Sequence, residues 1–333
     1  MRYYNIPIFV PHYGCPFDCV FCNQKHITGE RHEIDGVRVK EIITEHLSTI
    51  ENVSDRRVEA AFFGGSFTAI ETDKQTELLE SAYEFVKNGR IDGIRLSTRP
   101  DYINDEIVTR LVKYGVTAVE LGVQSLDDEV LKLSGRGHKS DVVNEAVSVL
   151  KRYPIEVGLQ MMTGLPGDTP EKALNTCKKI ISLKPDCVRI YPTLVIKDTG
   201  LEKLYNDGKY LPQELDEAVG LAAELMIEFR KNNINVIRAG LAATDEISYG
   251  GALIAGPFHS AFGELAEGEI FYKKILGYMK DMEYSEFLIN PKDISKVVGN
   301  GKRNIKRLND KNKRIKLIYD ESVGIGEIVP LKG

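Results

Sequence analysis

The sequence predicts an α/β fold built on a parallel sheet. Short β-branched runs alternate with helix-length amphipathic segments over about the first 230 residues, and polar or glycine-rich residues follow nearly every run. No apolar stretch approaches the roughly eighteen residues that a membrane span needs. Strand–helix alternation of this kind gives right-handed βαβ units. Six units form either an open sheet or a partial barrel, and periodicity does not choose between the two.

The strand candidates are IPIFV (6–10), VEAAFF (58–63), GIRLS (93–97), AVELGV (118–123), EVGLQMM (156–162) and CVRIY (187–191). Between them, 37–50, 73–88, 104–114, 140–152 and 170–183 have the length and spacing of helices. GGSF, STRP, QS, TGLPG and YPT stand at the carboxyl ends of the last five strands. Residues beyond those ends converge on one face, where α/β folds bind ligands. After about residue 200 the alternation fades. A long helix is expected over 213–232, then a further strand candidate, NVIRAG (235–240). Next comes a glycine-rich stretch, GGALIAGPFHSAFGEL (250–265), giving way to a helix through 280. Within it His259 and Glu264 are polar candidates near the site face, as is Tyr191 after the sixth strand, although packing roles are expected for all three.

Length and composition suit a globular chain with one large domain and a smaller one: 333 residues, 42% apolar, 28% charged and no tryptophan. The N-terminus lacks a signal-peptide pattern, so a cytoplasmic location is expected. Five cysteines, three of them within eight residues, argue against a disulfide framework and for a metal or redox site. Cys177 and Cys187 stand apart in apolar surroundings and read as small buried hydrophobes.

The strongest signal is HYGCPFDCVFCNQ (12–24), which spaces Cys15, Cys19 and Cys22 as C-x3-C-x2-C just after the first strand. A short loop brings several thiolates to one small volume, which suits iron–sulfur ligation. Three ligands leave one iron of a four-iron cluster open to a chelating molecule. Structural zinc is the alternative, with His12 or His26 as a fourth ligand. The glycines of GGSFT (64–68) allow close backbone approach to a ligand at a strand end.

The triplet, with Phe21 directly before its third cysteine, resembles the cluster loop of the radical S-adenosylmethionine (SAM) superfamily. STRPDYI, ELGVQSLDDEVLKLSGRGH, MTGLPGDT and RIYPTLVIKDTGLEKLYNDGKY resemble the family of the elongator complex's catalytic subunit, which modifies tRNA. The resemblance spans about residues 5–210. It implies a partial (β/α)6 radical SAM barrel with a small α+β C-terminal unit, and a [4Fe–4S] cluster held by Cys15, Cys19 and Cys22. SAM would be cleaved there to a 5′-deoxyadenosyl radical, with a low-potential electron donor such as a flavodoxin or ferredoxin. Phe21, Gly64, Gly65, Ser66, Ser97, Gln124, Arg136 and Gln160 match positions that contact SAM. Arg136 would pair with the SAM carboxylate, for which a planar fork is suited. Elongator-type proteins space the first two cysteines more widely. They also carry an acetyltransferase domain, which is not expected in this chain.

The expected organisation is a barrel over 1–235, an extension packed on it over 236–283, and a small basic unit over 284–333. The net charge is −5, yet residues 291–316 carry ten Lys or Arg against two Asp. There DISKVVGNGKRNIKRL, followed by RIKLIY, resembles the core of a KH RNA-binding module, whose glycine loop clamps nucleic-acid backbone. Gly299, Gly301, Lys302, Arg303, Lys306 and Arg307 are the RNA-binding candidates, with Ile294, Val297, Val298, Ile305 and Leu308 expected on the buried side. Lys302 stands where the KH loop has its second glycine. Three functions compete: a radical SAM enzyme acting on RNA, notably tRNA; one acting on a small molecule or porphyrin, since the GRGH segment also occurs in coproporphyrinogen-type relatives; and a non-enzymatic zinc and RNA-binding protein.

Overall fold

The computed structural model describes residues 2–10, 19–23, 34–50, 56–241, 248, 250–280 and 282–331. Six parallel strands follow in chain order: β1 (Arg2–Val10), β2 (Arg56–Gly64), β3 (Gly93–Thr98), β4 (Val116–Gln124), β5 (Glu156–Thr163) and β6 (Cys187–Pro192). After the short β7 (Val195–Ile196), the strand β8 (Asn235–Ala239) joins β6, making seven parallel strands curled into a half-barrel. The predicted six-unit barrel is thus extended by the NVIRAG segment. β7 pairs antiparallel with β9 (Leu253–Ala255).

Helices α1 (Gly36–Thr49), α2 (Thr72–Lys87), α3 (Asp105–Lys113), α4 (Asp128–Leu133), α5 (Asp141–Leu150), α6 (Pro170–Leu183), α7 (Gly200–Asn206) and α8 (Leu215–Lys231) connect or follow these strands. Several start where the sequence supplies a cap. Asp35 accepts from the Arg38 amide at 2.7 Å and Asn104 from that of Ile107 at 2.9 Å. Thr169 caps α6 ahead of Pro170, whose missing N–H costs nothing at that position. Each such cap is worth about 1 kcal/mol.

A parallel sheet covered on both faces normally reads as continuous apolar runs. Here alternate residues divide sharply. Ile6 and Ile8, Val58 and Phe62, Ile94 and Leu96, Val119 and Leu121, Val157 and Leu159, and Val188 and Ile190 belong to one buried apolar core with the helices. The intervening residues Glu59, Arg95, Glu120, Gln160 and Arg189 meet one another on the other face. A period of two sends these sets to opposite sides of the sheet, so the concave face is polar by construction.

The C-terminal unit begins with α9 (Phe262–Tyr278). Phe262, Leu265 and Ala266 of this helix join the barrel core, whereas Phe271, Tyr272 and Ile275 join a second core with Phe287, Val297 and Leu308. One helix therefore serves both cores, and the unit takes a wall from residues before 284. Its sheet has β10 (Tyr284–Ile289) in the centre. After the short helices α10 (Ile294–Val298) and α11 (Arg303–Asn309), β11 (Arg314–Tyr319) pairs parallel with it, and β12 (Ile328–Leu331) antiparallel. Of the residues expected on the buried side, Val297 and Leu308 are buried and Val298 and Ile305 half-buried. Ile294 departs from expectation: it opens a five-residue helix and is 38% exposed. Among the described residues no helix is long and apolar enough to cross a membrane.

Candidate active site

Of the predicted thiolate ligands, Cys19 and Cys22 are described, while Cys15 lies outside the described residues, as do His12 and His26. The Cys22 amide donates to the Cys19 carbonyl at 2.9 Å, a tight turn that keeps the two residues close. The segment is stitched down on three sides. The Val20 amide donates to the Ser134 carbonyl at 3.0 Å, and the Leu201 amide donates to the Val20 carbonyl at 2.6 Å. Asn23 Nδ2 donates to the Lys197 carbonyl at 3.1 Å. Gly200 explains part of this fit, since a Cβ there would stand 3.3 Å from the Val20 backbone.

Around this segment lie the carboxyl ends of the strands. The Gly65 amide donates to the Val10 carbonyl at 3.1 Å, tying the glycine motif to the end of β1. Gly64 adopts φ 109°, a conformation open to glycine alone at little cost. The Ser66 hydroxyl is committed to its own surroundings, bonding Thr98 Oγ1 at 3.0 Å and accepting from the Arg99 amide at 3.2 Å. Any ligand contact at this position therefore falls to the backbone.

Gln124 closes β4 at φ 64°, next to a register shift in the pairing with β5. A non-glycine residue held in the left-handed region is a strained position, and such positions gather at functional sites. Gly122 makes room beside it: a Cβ there would meet Gln124 Nε2 at 2.9 Å and Arg136 Nη2 at 3.0 Å. Gln160 and Ser97 come together, with Gln160 Nε2 donating to Ser97 Oγ at 3.2 Å and to Glu120 Oε2 at 3.0 Å. Both amide protons are thereby used, which leaves Gln160 Oε1 as an acceptor.

Arg136 reaches the same place from the turn after α4. It is buried, its Nη2 donates to the Gly122 carbonyl, and its Nη1 lies 3.7 Å from Cys19 Sγ. The turn is fixed by Arg99, whose Nη2 donates to the Arg136 carbonyl at 2.7 Å and whose fork holds Asp101 at 2.9 and 2.8 Å. The structure thus brings Cys19, Gly122, Gln124 and Arg136 into one neighbourhood, with Ser97 and Gln160 as an adjoining pair. Phe21 lies within the clamped cysteine segment and is half-buried.

The sequence reading missed the charged floor of this site. Glu120 takes both arms of Arg189 at 2.5 and 2.9 Å, and Arg95 reaches Glu59, Glu120 and Glu156 at 2.9, 3.3 and 3.0 Å. Burial works to raise the Glu120 carboxyl, but Arg189, Gln160 and Arg95 outweigh it and hold the group below its ordinary value. Burial also drives the Tyr191 phenol up. The signal that could have found the floor is a charged residue at the inward-facing position of successive strands. At the end of β5, Asp168 accepts from the Gly164 amide at 2.9 Å, while Tyr210 donates to the Gly164 carbonyl at 2.6 Å. Burial lifts the Asp168 carboxyl to about 6.

The remaining candidates fall elsewhere or serve packing. His259 accepts the Ala261 amide on Nδ1 at 3.0 Å, and Glu264 is exposed. Burial pushes the Cys187 thiol up to about 12, as it does that of Cys177, in keeping with inert buried thiols. In the basic unit Gly299, Gly301 and Lys302 all have positive φ, at 78°, 59° and 61°. Asn304 pins the loop by donating to the carbonyls of Gly268, Val297 and Lys296. Lys302 and Lys306 are exposed. Arg303, however, is paired with Asp216 of α8 at 2.7 Å, and Arg307 is paired with Glu269 while lying over the Tyr272 ring.

The donor set suits an iron–sulfur group. Two cysteines of the triplet sit on a clamped loop beside a buried guanidinium whose Nε has no hydrogen-bond partner among the described residues. A family model described as the radical SAM superfamily matches residues 9–180, and one described as the radical SAM C-terminal domain matches 185–271. A tRNA uridine(34) acetyltransferase of Dehalococcoides mccartyi is 29% identical over 244 residues, covering 63% of this chain and 53% of that protein. One from Methanocaldococcus infernus is 31% identical over 195 residues, covering 53% and 36%. Elongator complex protein 3 of Saccharomyces cerevisiae is 30% identical over 190 residues, covering 51% and 34%. The chain therefore spans about half of the first relative and about a third of the other two. Among solved structures, the archaeal Methanocaldococcus infernus Elp3 with an N-terminal deletion superposes with a TM-score of 0.62 at 24% identity, covering 84% of this chain and 64% of that one.

Proposed function

Because this chain belongs to the radical SAM superfamily, we propose that it is an enzyme that cleaves SAM reductively to begin a modification of RNA, with tRNA as the substrate. Cys15, Cys19 and Cys22 hold a [4Fe–4S] cluster in this reading. When bound, the cluster supplies the electron that breaks the S–C5′ bond of SAM and leaves a 5′-deoxyadenosyl radical.

The rest is the work of the chain's own residues. Phe21 and the Gly64–Ser66 backbone flank the methionine end of SAM, with Arg136 offering its fork to the carboxylate. Ser97, Gln124 and the Oε1 acceptor of Gln160 bind the ribose or methionine end. The buried Glu120–Arg189 pair holds Gln160 in that orientation, since one of its amide protons is fixed on Glu120. A low-potential donor such as a ferredoxin or flavodoxin delivers the electron, and the reaction runs in the cytoplasm.

The observation that carries the proposal is the clamping of the Cys19–Cys22 segment onto the turn that presents Arg136. The choice of tRNA is supported by the names of the relatives and by the exposed Lys302 and Lys306 beside a glycine loop. Mass spectrometry of tRNA nucleosides from a strain lacking the protein tests that choice. A modified nucleoside should disappear and return when the wild-type chain, but not a Cys19→Ala variant, is restored. An unchanged nucleoside profile would direct the chemistry to a small molecule instead.

A further inference from the structure

Among the described residues, no carboxylate pairs with the Arg136 guanidinium. The residue is 6% exposed, and among the described residues its guanidinium bonds the Gly122 carbonyl and the sulfur of Cys19. The nearby Asp101 is taken by Arg99. Nε of Arg136 is buried and has no hydrogen-bond partner among the described residues. A guanidinium does not give up its proton in proteins, and an isolated buried cation is costly unless an anion stands against it. Of the groups bonded to Arg136, only the Cys19 sulfur can become an anion.

We propose that Arg136 is the counter-charge of the Cys19 sulfur, donating an N–H···S bond to it when the cluster is held and thereby raising the cluster's reduction potential. This rests on the function proposed above and adds to it a role that does not depend on bound SAM. The geometry is built rather than incidental. Cys19 and Arg136 sit on two segments joined by the bond from the Val20 amide to the Ser134 carbonyl, and Arg99 fixes the Arg136 carbonyl from behind. Hydrogen bonds and positive charge at a cluster sulfur stabilise the reduced, more negative state. A neutral residue in place of Arg136 removes the positive charge.

The test is a potentiometric titration of the reconstituted full chain without SAM, followed by electron paramagnetic resonance. Arg136→Gln and Arg136→Lys are compared with wild type, and iron content and thermal melting are measured on the same samples. The midpoint should move to more negative potential in Arg136→Gln, with Arg136→Lys in between. Loss of the cluster from a variant that keeps the wild-type melt would support the same role. If Arg136→Gln does not fold, the Arg136→Lys shift decides. A variant midpoint equal to wild type, accompanied by weakened SAM binding, would overturn the inference and confine Arg136 to SAM. If the wild-type chain itself takes up no iron, it is the proposed function that fails.

Discussion

Glu120 on β4 receives both arms of the Arg189 guanidinium on β6, across the intervening strand β5, with 1% of the Glu120 side chain exposed. The pair is the centre of a charged layer that fills the concave face, and it determines which way Gln160 is turned. Replacing Glu120 by Gln removes the negative partner of one buried guanidinium and weakens the hold on another. A loss of about 3–5 kcal/mol is expected. Urea unfolding followed by circular dichroism measures it, and a loss below about 1 kcal/mol would mean that the layer is not structurally important.

Gly122→Ala separates ligand binding from folding. The added Cβ would press on the ends of two side chains, Gln124 and Arg136, rather than on backbone. Strain of about 1–3 kcal/mol is expected. Because both displaced groups face the proposed SAM site, SAM affinity measured by calorimetry should fall at least tenfold while the fold is retained.

Asp168 gives the protein a pH dependence of definite sign. Its carboxyl titrates near 6 in the folded chain because of burial, against an ordinary value of 3.8. Between those values the folded state binds more protons than the unfolded state, so stability falls as pH rises from about 4 to about 6 and then levels off. Removing the charge with Asp168→Asn should therefore stabilise the chain at pH 7–8 relative to wild type, by up to about 3 kcal/mol. The advantage should vanish by about pH 4. Melting temperatures of both proteins across that range test this, and parallel curves would refute it.

In the basic unit, charges that look alike in the sequence should behave differently. Reversing Lys302 and Lys306 to Glu should leave the melt unchanged, weaken tRNA binding and lower the salt slope by about one per lysine. Arg307→Ala strips a partner from the buried Glu269 and should cost about 1–2 kcal/mol of stability. Filter binding across a salt series, with melts of the same variants, separates the two classes.

These contrasts mark what was legible in the sequence. The strands were readable because β-branched runs such as GIRLS and CVRIY are short and regularly spaced, and the helices because amphipathic segments of helix length stand between them. The closeness of Cys19 and Cys22 was readable from local spacing. The Glu120–Arg189 pair was not, because its partners lie 69 residues apart and meet only through strand register. Arg303 and Arg307 read as nucleic-acid contacts by their neighbours in sequence. Their acidic partners, Asp216 and Glu269, lie on helices that the chain reaches much earlier. Charge counting registers how many cations a segment has, but folding decides which of them remain available.

The most direct test of the account is anaerobic reconstitution of the full chain with iron and sulfide, followed by addition of dithionite and SAM. The account predicts a brown protein with iron and acid-labile sulfide in equal amounts that releases 5′-deoxyadenosine and methionine, and a Cys19→Ala variant that releases neither. A colourless protein carrying zinc, or one that holds the cluster and leaves SAM intact under these conditions, would contradict it.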